Sequence, residues 1–438
     1  MKYFVFMVAA LGVLPLSFLL FINMRWIKWL FFGIAVSICL YETTAINFFS
    51  HEEYRGTARG MEVSLAYLLS LAMLIALFAR GKSKGWFPEV GFKLFLPYFL
   101  LCLPSLASAA DCLISWFEIW KMMMLYIVYL ATCTYLNATD DLKTILWMFC
   151  ILVLVNMALV GISHYSGVYQ PHGFFPHRNS MAMAMQLFGN LFFASYLVNG
   201  TRTFFGKMSL LACGSAVLCT LWSFSRGAIA ILPVAYSVTA IACLCEKKGT
   251  MMKFKRIIPI FIIGLFVSAA ALPRIIDRFV NAPKSSGNTR VELAYCAKEM
   301  ISDEPLRGVG INNWSIMMAP PYRYQDQASE ALGVDLEYTG IVETVYLLVA
   351  AECGIPALIA MLVWFAWYWI SCLRLVRRLR GTRWFFVAAG LLGGLTAQYL
   401  QSALEWVLRQ QRNMIILLIS FAIISYLNMS WRKLESKR

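Results

Sequence analysis

Residues 221–234 read LWSFSRGAIAILPV, a stretch in which one arginine separates two apolar runs. A charged side chain at the centre of a lipid bilayer costs about 2.5–3.5 kcal/mol on insertion scales. Arg226 is therefore expected at the end of a membrane segment, where water or an anion can reach it. The stretch predicts two apolar helices that are joined by a short loop at one face of a membrane.

The rest of the chain has the composition of a polytopic membrane protein. Of its 438 residues, 60% are hydrophobic and only 14% are charged, and the mean hydropathy is +0.68. A membrane-spanning helix needs about 20 mostly apolar residues. Thirteen stretches approach that length, at residues 3–23, 28–49, 61–79, 92–110, 117–136, 144–163, 181–198, 205–222, 227–245, 257–273, 341–371, 385–408 and 413–429.

We predict an all-α polytopic membrane protein with twelve or thirteen transmembrane helices. The two counts differ in the first stretch, which contains Pro15 and is either a span or a re-entrant segment. Its apolar core is longer than that of a signal peptide, so we expect a membrane segment there. The predicted division is ten helices in residues 1–273, one long external loop with short helices in 274–340, and three helices in 341–438.

The formal net charge of +15 follows from the predicted topology. If the segments alternate across the membrane, the basic clusters all fall on one side, which is the positive-inside pattern of cytoplasmic loops. These clusters are Arg80–Lys84, Arg202–Lys207, Lys247–Arg256, Arg374–Arg383 and the C-terminal tail. The basicity therefore indicates topology, and no nucleic-acid partner is expected.

The predicted external face holds the unusual polar residues. Arg55 and Arg59 would share one face if their loop were helical. His177 and Arg178 end another external loop, and Arg226 lies in a third. Each has an ordinary explanation, since an arginine at the membrane edge reaches lipid phosphates and a loop histidine is usually solvated. Several arginines on one face favour a phosphate-bearing lipid substrate instead, because the guanidinium fork matches phosphate oxygens.

The long external loop is predicted to begin with a helix. Its sequence NTRVELAYCAKEMISDEP gives an apolar stripe at Val291, Leu293, Ala294 and Ala297, and the helix should stop at the DEP motif. At its other end, three acids approach the eleventh apolar stretch, namely Asp335, Glu337 and Glu343. Glu343 could simply stabilise the helix dipole there.

Three motifs in this order resemble signatures of the bacterial O-antigen ligase and polymerase superfamily. They are SFSRGA, TRVELAYCAKEMISDEPLRGVGINNW and VETVYLLVAAECGIPALIAMLVW, and the resemblance covers about residues 51–370. It implies a fold similar to the GT-C glycosyltransferases, in the bacterial inner membrane with the active site on the periplasmic face. It also implies an undecaprenyl-diphosphate-linked oligosaccharide as donor, a glycan acceptor and no metal ion or other cofactor.

The resemblance assigns roles to individual residues. By motif position, Arg226 and Arg290 would bind the donor diphosphate, and Arg178 would do so by a looser match. Ligases of the superfamily have a His-Asn pair where this chain has Glu343-Thr344, and no histidine follows His177. Acidic residues at this place resemble the polymerase branch more closely. A carboxylate can also act as a general base if burial raises its pKa toward neutrality.

The resulting hypothesis is a glycosyltransferase that polymerises lipid-linked repeat units by one inverting, metal-independent displacement. Candidates for the base are Glu343, Asp335, Glu337 and His177, and candidates for diphosphate binding are Arg226, Arg290, Arg178, Arg55 and Arg59. Membrane lipids and a chain-length regulator are further expected partners. The alternatives are an O-antigen ligase that transfers the glycan to lipid A core or another acceptor, and a flippase of lipid-linked glycans. A transporter would often show inverted repeats, which the sequence does not display.

Overall fold

The structure is a computed structural model that describes residues 2–82, 89–246, 249–258, 285–332 and 340–435. In the N-terminal half its helices are α1 (Lys2–Leu11), α2 (Val13–Ile22), α3 (Trp29–Cys39), α4 (Tyr41–Thr44), α5 (Leu65–Ala79), α6 (Glu89–Cys102), α7 (Cys112–Thr139), α8 (Leu142–Tyr165), α9 (Arg178–Asn199), α10 (Phe204–Trp222) and α11 (Arg226–Leu244). The described chain continues with α12 (250–258), α13 (Ser285–Asp303), α14 (Trp314–Met318), α15 (Tyr324–Leu332), α16 (Val345–Arg378), α17 (Phe385–Ser402) and α18 (Gln411–Glu435). An all-α membrane protein is thus confirmed.

Seven helices of the described residues are long and apolar enough to cross a membrane, namely α7, α8, α9, α10, α11, α16 and α18. Each coincides with one of the predicted apolar stretches. Two further stretches form shorter apolar helices, at Leu65–Ala79 and Lys93–Ala107. The stretch at 257–273 lies almost entirely outside the described residues. The total of twelve or thirteen spans stays a prediction, as does the division at residues 273 and 340.

The first two apolar stretches form a sharply bent pair. The helical segments Phe6–Ile22 and Met24–Cys39 meet at 114° and together are long enough for one broken span or a re-entrant loop. Asn23 lies at the bend. Its backbone N–H donates to the Leu19 carbonyl and closes the first segment, and its side-chain oxygen accepts from the Arg25 N–H at 3.1 Å, at the start of the second segment. Both alternatives for the first stretch therefore remain compatible with its geometry.

The sequence predicts helices over 28–49 and 61–79, but the end of the first stretch and the start of the second are not helical. There the chain forms a two-stranded antiparallel ribbon of β1 (Ala45–Phe48) and β2 (Met61–Ser64). At the end of the preceding helix, the Thr43 and Thr44 hydroxyls both donate to the Leu40 carbonyl. Apolar composition alone does not distinguish a strand from a helix over so few residues.

The chain divides into two compact units. The first contains residues 1–148, 285–367 and 402–426, and the second contains residues 149–284, 368–401 and 427–438. The second unit surrounds α9, which is almost completely buried and carries polar side chains that pair inside the unit. Thr239 donates to the Asn190 amide oxygen at 2.6 Å, and the Gln186 amide donates to Gln401 at 3.2 Å.

The long loop belongs to the first unit and has its own apolar core. α13 ends at Asp303, so the predicted stop before Pro305 is confirmed. Its buried face comprises Leu293, Cys296, Ala297 and Met300, which pack with Trp314 and with Leu348 and Ala351 of α16. Val291 was expected on this face but is 62% exposed. The buried residues from Leu293 to Met300 are spaced three and four apart, so they share one face of the helix. Position 291 does not fit this spacing and therefore lies off the buried face.

Candidate functional site

The helix α16 is broken at Gly354, in the motif ECGIP. Gly354 has φ +82° and ψ 168°, a conformation that is essentially restricted to glycine. Two residues later, Pro356 has no N–H, so the Glu352 carbonyl lacks its usual partner within the helix. The break therefore exposes backbone groups that another segment of the protein must satisfy.

The long loop satisfies these backbone groups. Three hydrogen bonds join it to the break: Val309 N to Ala351 O at 2.9 Å, Gly310 N to Glu352 O at 3.1 Å, and Ile355 N to Pro305 O at 2.8 Å. The glycine turn of GVGINNW thus lies directly against α16. The local sequence of α16 fixes where the loop binds.

Asn312 and Asn313 fasten the same turn to the segments around it. Asn312 accepts from Thr57 N at 2.8 Å and Ala58 N at 3.1 Å, and its amide donates to the carbonyls of Ala58 at 2.8 Å and Ile114 at 2.9 Å. Asn313 donates to Ser115 at 2.8 Å and accepts from Asp111 N at 2.8 Å. Both asparagines are completely buried, so the loop is held by specific polar contacts in addition to its apolar core.

We expect Gly354→Ala to release this loop. The added methyl would lie 2.4 Å from the Leu306 carbonyl oxygen, and the backbone conformation itself costs alanine about 1–3 kcal/mol. Trypsin should then cut after Arg307 and Arg323 faster than in the unchanged protein. Gly161→Ala is the matched control, because its methyl meets nothing within 4 Å near the end of α8. Equal cleavage rates in the two variants would contradict this role of Gly354.

A cluster of one arginine and two acids lies where this loop meets two other segments. Arg290 of α13 forms ion pairs through Nε with Glu343, just before α16, and through Nη2 with Glu405 Oε1 at 3.2 Å. The side chains of Arg290 and Glu343 are 41% and 32% exposed, whereas Glu405 is 8% exposed. Arg290 is thus shared between two carboxylates at a place that solutes can reach.

A second ion cluster in the first unit is fully buried. Arg409 Nη1 pairs with Glu352 at 2.7 Å and its Nη2 pairs with Glu118 at 3.0 Å. Glu118 also pairs with Lys121 at 2.5 Å and accepts from the Thr57 hydroxyl at 2.8 Å. The charges of the two carboxylates and the two cations cancel. Such pairing offsets the cost of removing charged groups from water. The turn between α17 and α18 thus supplies Glu405 to the exposed cluster and Arg409 to the buried one.

A small pocket adjoins the buried cluster. Glu118, Lys121 and Arg409 form its polar end, and apolar side chains that include Tyr98 and Trp364 form the remainder. Its interior measures about 30 Å³, which is room for about two water molecules. The pocket is therefore too small for a sugar in this conformation, and the exposed cluster at Arg290 is the better candidate for substrate.

Three other predicted site residues belong to the second unit. Arg226 is the first residue of α11, and the loop before it is only Ser223–Ser225, so the predicted short connection is confirmed.

Arg178 begins α9, and His177 caps that helix by accepting from the Asn179 N–H at 3.2 Å. The pKa of His177 is lowered to about 4, first by loss of solvent around the ring and then by Arg178 and His172. His177 is therefore neutral at physiological pH and a weak base.

The remaining predicted residues lie elsewhere or outside the described chain. Asp335 and Glu337 fall within residues 333–339, which the structure does not describe. Arg55 and Arg59 are exposed, and their segment is not helical, so the expected shared helical face does not exist. The reason is that Asn312 takes the hydrogen bonds of Thr57 and Ala58 that a helix would need.

Five charged residues of the two clusters were not predicted from the sequence. Glu118, Lys121, Glu352, Glu405 and Arg409 all fall within or beside stretches interpreted only as apolar spans. Their signal was the same one that identified Arg226, a charge inside an apolar run.

Comparison with known proteins supports the motif resemblance. Residues 211–362 match the protein-family model described as O-antigen ligase. Over those residues the chain is similar to the O-antigen ligase family. No curated protein matches the chain. The match supports a membrane glycosyltransferase of the ligase or polymerase type, and its limits include Arg226, Arg290, Glu343 and Glu352.

Proposed function

We propose that the protein polymerises lipid-linked oligosaccharide repeat units by transfer from undecaprenyl diphosphate to a sugar hydroxyl. The observation that carries the proposal is the ion pair between Arg290 and Glu343. It joins the arginine assigned to the donor diphosphate with a carboxylate at the position where the superfamily's ligases have histidine. In this proposal the enzyme lies in the bacterial inner membrane and its site opens to the periplasm.

The charges of this cluster suggest how donor binding prepares the reaction. With Glu343 and Glu405 both on Arg290, two carboxylates occupy the guanidinium that a diphosphate would need. The donor must therefore take the guanidinium away from one acid, and the more exposed partner is Glu343. Glu405 keeps Arg290 oriented, while the released Glu343 carboxylate becomes available to the acceptor hydroxyl.

The transfer then needs one displacement. The Glu343 carboxylate takes the proton of the acceptor hydroxyl, whose oxygen forms a bond to the anomeric carbon. The bond from that carbon to the diphosphate oxygen breaks, and undecaprenyl diphosphate leaves with the electron pair. Attack from the face opposite the leaving group inverts the anomeric configuration. Arg290 would act here as a preorganised hydrogen-bond donor to the leaving diphosphate. In comparable sites one such hydrogen-bond donor stabilises the developing charge by about 2.7–4 kcal/mol.

Arg226 is proposed to bind donor phosphate oxygens as well, as its place in the SFSRGA motif suggests. We expect Arg226→Lys to lower polymer synthesis roughly 10- to 100-fold, nearly as much as Arg226→Ala, because a lysine keeps the charge but loses the planar fork. The measurement is polymer formed per molecule of membrane-inserted protein. Arg202→Lys, on the predicted cytoplasmic side, is the control. Normal synthesis by Arg226→Lys would refute the assignment.

The proposal is tested with purified protein and an undecaprenyl-diphosphate oligosaccharide in excess EDTA. A ladder of longer lipid-linked glycans is expected, since the arginines supply the positive charge at the diphosphate. Loss of the ladder with EDTA and its return with Mg²⁺ would contradict the metal-independent mechanism. Movement of the intact lipid between leaflets without any new linkage would indicate the transporter.

The ligase alternative is favoured by one observation, the family description that residues 211–362 match. The same assay with added lipid A core distinguishes it. Core-linked product without a ladder would replace the polymerase proposal by the ligase. A ladder that is unaffected by the core would support the polymerase.

A further inference from the structure

In the second unit, the ends of two long helices meet at a tryptophan that carries two arginines. The guanidinium of Arg378, the last residue of α16, lies 4.9 Å from the centre of the Trp431 ring of α18. The Arg432 guanidinium lies 5.4 Å from the centre of the same ring. These three residues are called the tryptophan site below. One ring thus holds a cation from each of two helices.

The two cations of the tryptophan site have no acid partner within the described residues. The contacts of the Arg378 and Arg432 guanidinium groups there are those with the ring. Glu246, an acid beside the turn after α16, already pairs with Lys253 at 2.8 Å and accepts from the Gly381 N–H at 2.8 Å. A cation–π contact uses none of the five N–H donors of a guanidinium. Both arginines therefore keep hydrogen-bond donors for an anion.

The surface around the tryptophan site is strongly basic. In residues 374–384 and 431–435 the only acid is Glu435. The Arg383 guanidinium lies 4.8 Å from the centre of the Trp384 ring in the same turn. Other exposed cations of the two segments are Arg374, Arg377, Arg380 and Lys433. Because like charges repel one another, an anion that binds between them lowers the electrostatic energy of this surface.

The position of the tryptophan site restricts what that anion is. The helices Val345–Arg378 and Gln411–Glu435 are both long and apolar enough to cross a membrane, and the site lies where they end. Tryptophan is enriched at the level of the lipid headgroups. The anion that is abundant at this depth is the phosphate of a phospholipid, and basic pockets between membrane helices are known to hold anionic headgroups.

We propose that the tryptophan site binds the phosphate group of an anionic phospholipid of the surrounding membrane. A guanidinium fork matches phosphate oxygens and can bind them through two parallel hydrogen bonds. The positive-inside pattern explains why basic residues collect on one side, but it requires only charge near the membrane. It does not require two arginines on one ring. The inference goes beyond the proposed glycan transfer and does not depend on it.

The test is a lipid titration of the full-length protein in detergent, followed by native mass spectrometry. The probes are phosphatidylglycerol and phosphatidylethanolamine with the same acyl chains. We expect phosphatidylglycerol to bind with a Kd about 10-fold lower, because the basic surface repels the ammonium group of phosphatidylethanolamine. Arg378→Lys should weaken phosphatidylglycerol binding about 3- to 10-fold, since lysine keeps the charge but loses the fork.

Arg377→Lys is the matched control. It makes the same change one residue earlier in the same exposed turn of α16, at an arginine without a ring contact in the described structure. It should leave the Kd for phosphatidylglycerol unchanged. Arg432→Gln, which removes the second cation from the Trp431 ring, should weaken binding about 10-fold.

Three outcomes would overturn the inference. Equal binding of the two lipids would show that the site does not select an anion. If Arg378→Lys binds phosphatidylglycerol as well as Arg377→Lys does, the surface attracts lipid only through its total charge. If millimolar inorganic phosphate displaces the bound phosphatidylglycerol, the site takes free phosphate and not a lipid headgroup. The assay contains no glycan donor, so failure of the proposed transferase function would leave all of these results unchanged.

Discussion

Glu343→Gln should lower the rate of glycan transfer by about 10²–10⁴-fold, the usual contribution of a general base. Glutamine keeps the shape of the side chain and can still accept a hydrogen bond from Arg290, but it cannot take a proton from the acceptor hydroxyl. A residue that only stabilised the start of α16 would contribute about 0.3–1 kcal/mol, and its loss would barely change the rate. The measurement is ladder growth at saturating lipid-linked donor.

The matched control is Glu304→Gln, which removes another acid of the long loop that pairs with an arginine, Arg307 at 3.5 Å. It should leave the rate nearly unchanged. If Glu343→Gln keeps more than about a tenth of the normal rate, Glu343 is not the base. Glu405, Asp335, Glu337 and His177 would then be tested in the same way.

Glu343→His distinguishes the two branches of the superfamily at this position. If the acceptor and the geometry are those of a ligase, histidine should restore some transfer to lipid A core. In a polymerase it should allow at most weak elongation of the lipid-linked glycan and no transfer to the core. Core-linked product from this variant would therefore contradict the polymerase proposal.

Arg409→Met should destabilise the first unit by about 3–5 kcal/mol, because it leaves Glu352 as a buried charge without its cation. Glu118 would keep Lys121, so most of the loss comes from Glu352. The free energy of unfolding is measured by chemical denaturation in detergent. Arg307→Met is the control, since that arginine is 52% exposed and its ion pair should contribute less than about 1 kcal/mol.

A charge-balanced variant separates electrostatics from packing. In the double variant Arg409→Met, Glu352→Gln, one cation and one carboxylate are removed together, and Glu118 and Lys121 still pair. We expect this variant to recover a large part of the lost stability, because no unpaired charge remains buried. If the double variant is less stable than Arg409→Met, the arginine acts by filling space and the electrostatic explanation is wrong.

Some features of the fold follow from local sequence alone. The three-residue connection before Arg226 was predictable because an arginine between two apolar runs has only the membrane edge available to it. The end of α13 at Asp303 was predictable because a proline follows two residues later. Both depend on side chains within one helical turn of each other. The ribbon of Ala45–Phe48 and Met61–Ser64 was missed because its strands are short and are defined by their pairing with each other.

Tertiary structure alone decided the composition of the candidate site. Arg290 pairs with Glu405, 115 residues further along the chain, and Arg409 bonds with Glu352, 57 residues before it. A charge in an apolar run shows by itself that a partner or water must be present, because an isolated buried charge is too costly. It does not show which partner, since ion pairing requires only proximity and the correct sign. The sequence by itself therefore determined a membrane protein with motifs that resemble those of the O-antigen ligase and polymerase superfamily. The folded chain decided which acids surround Arg290, because the long loop, the start of α16 and the turn before α18 come together only in the tertiary structure.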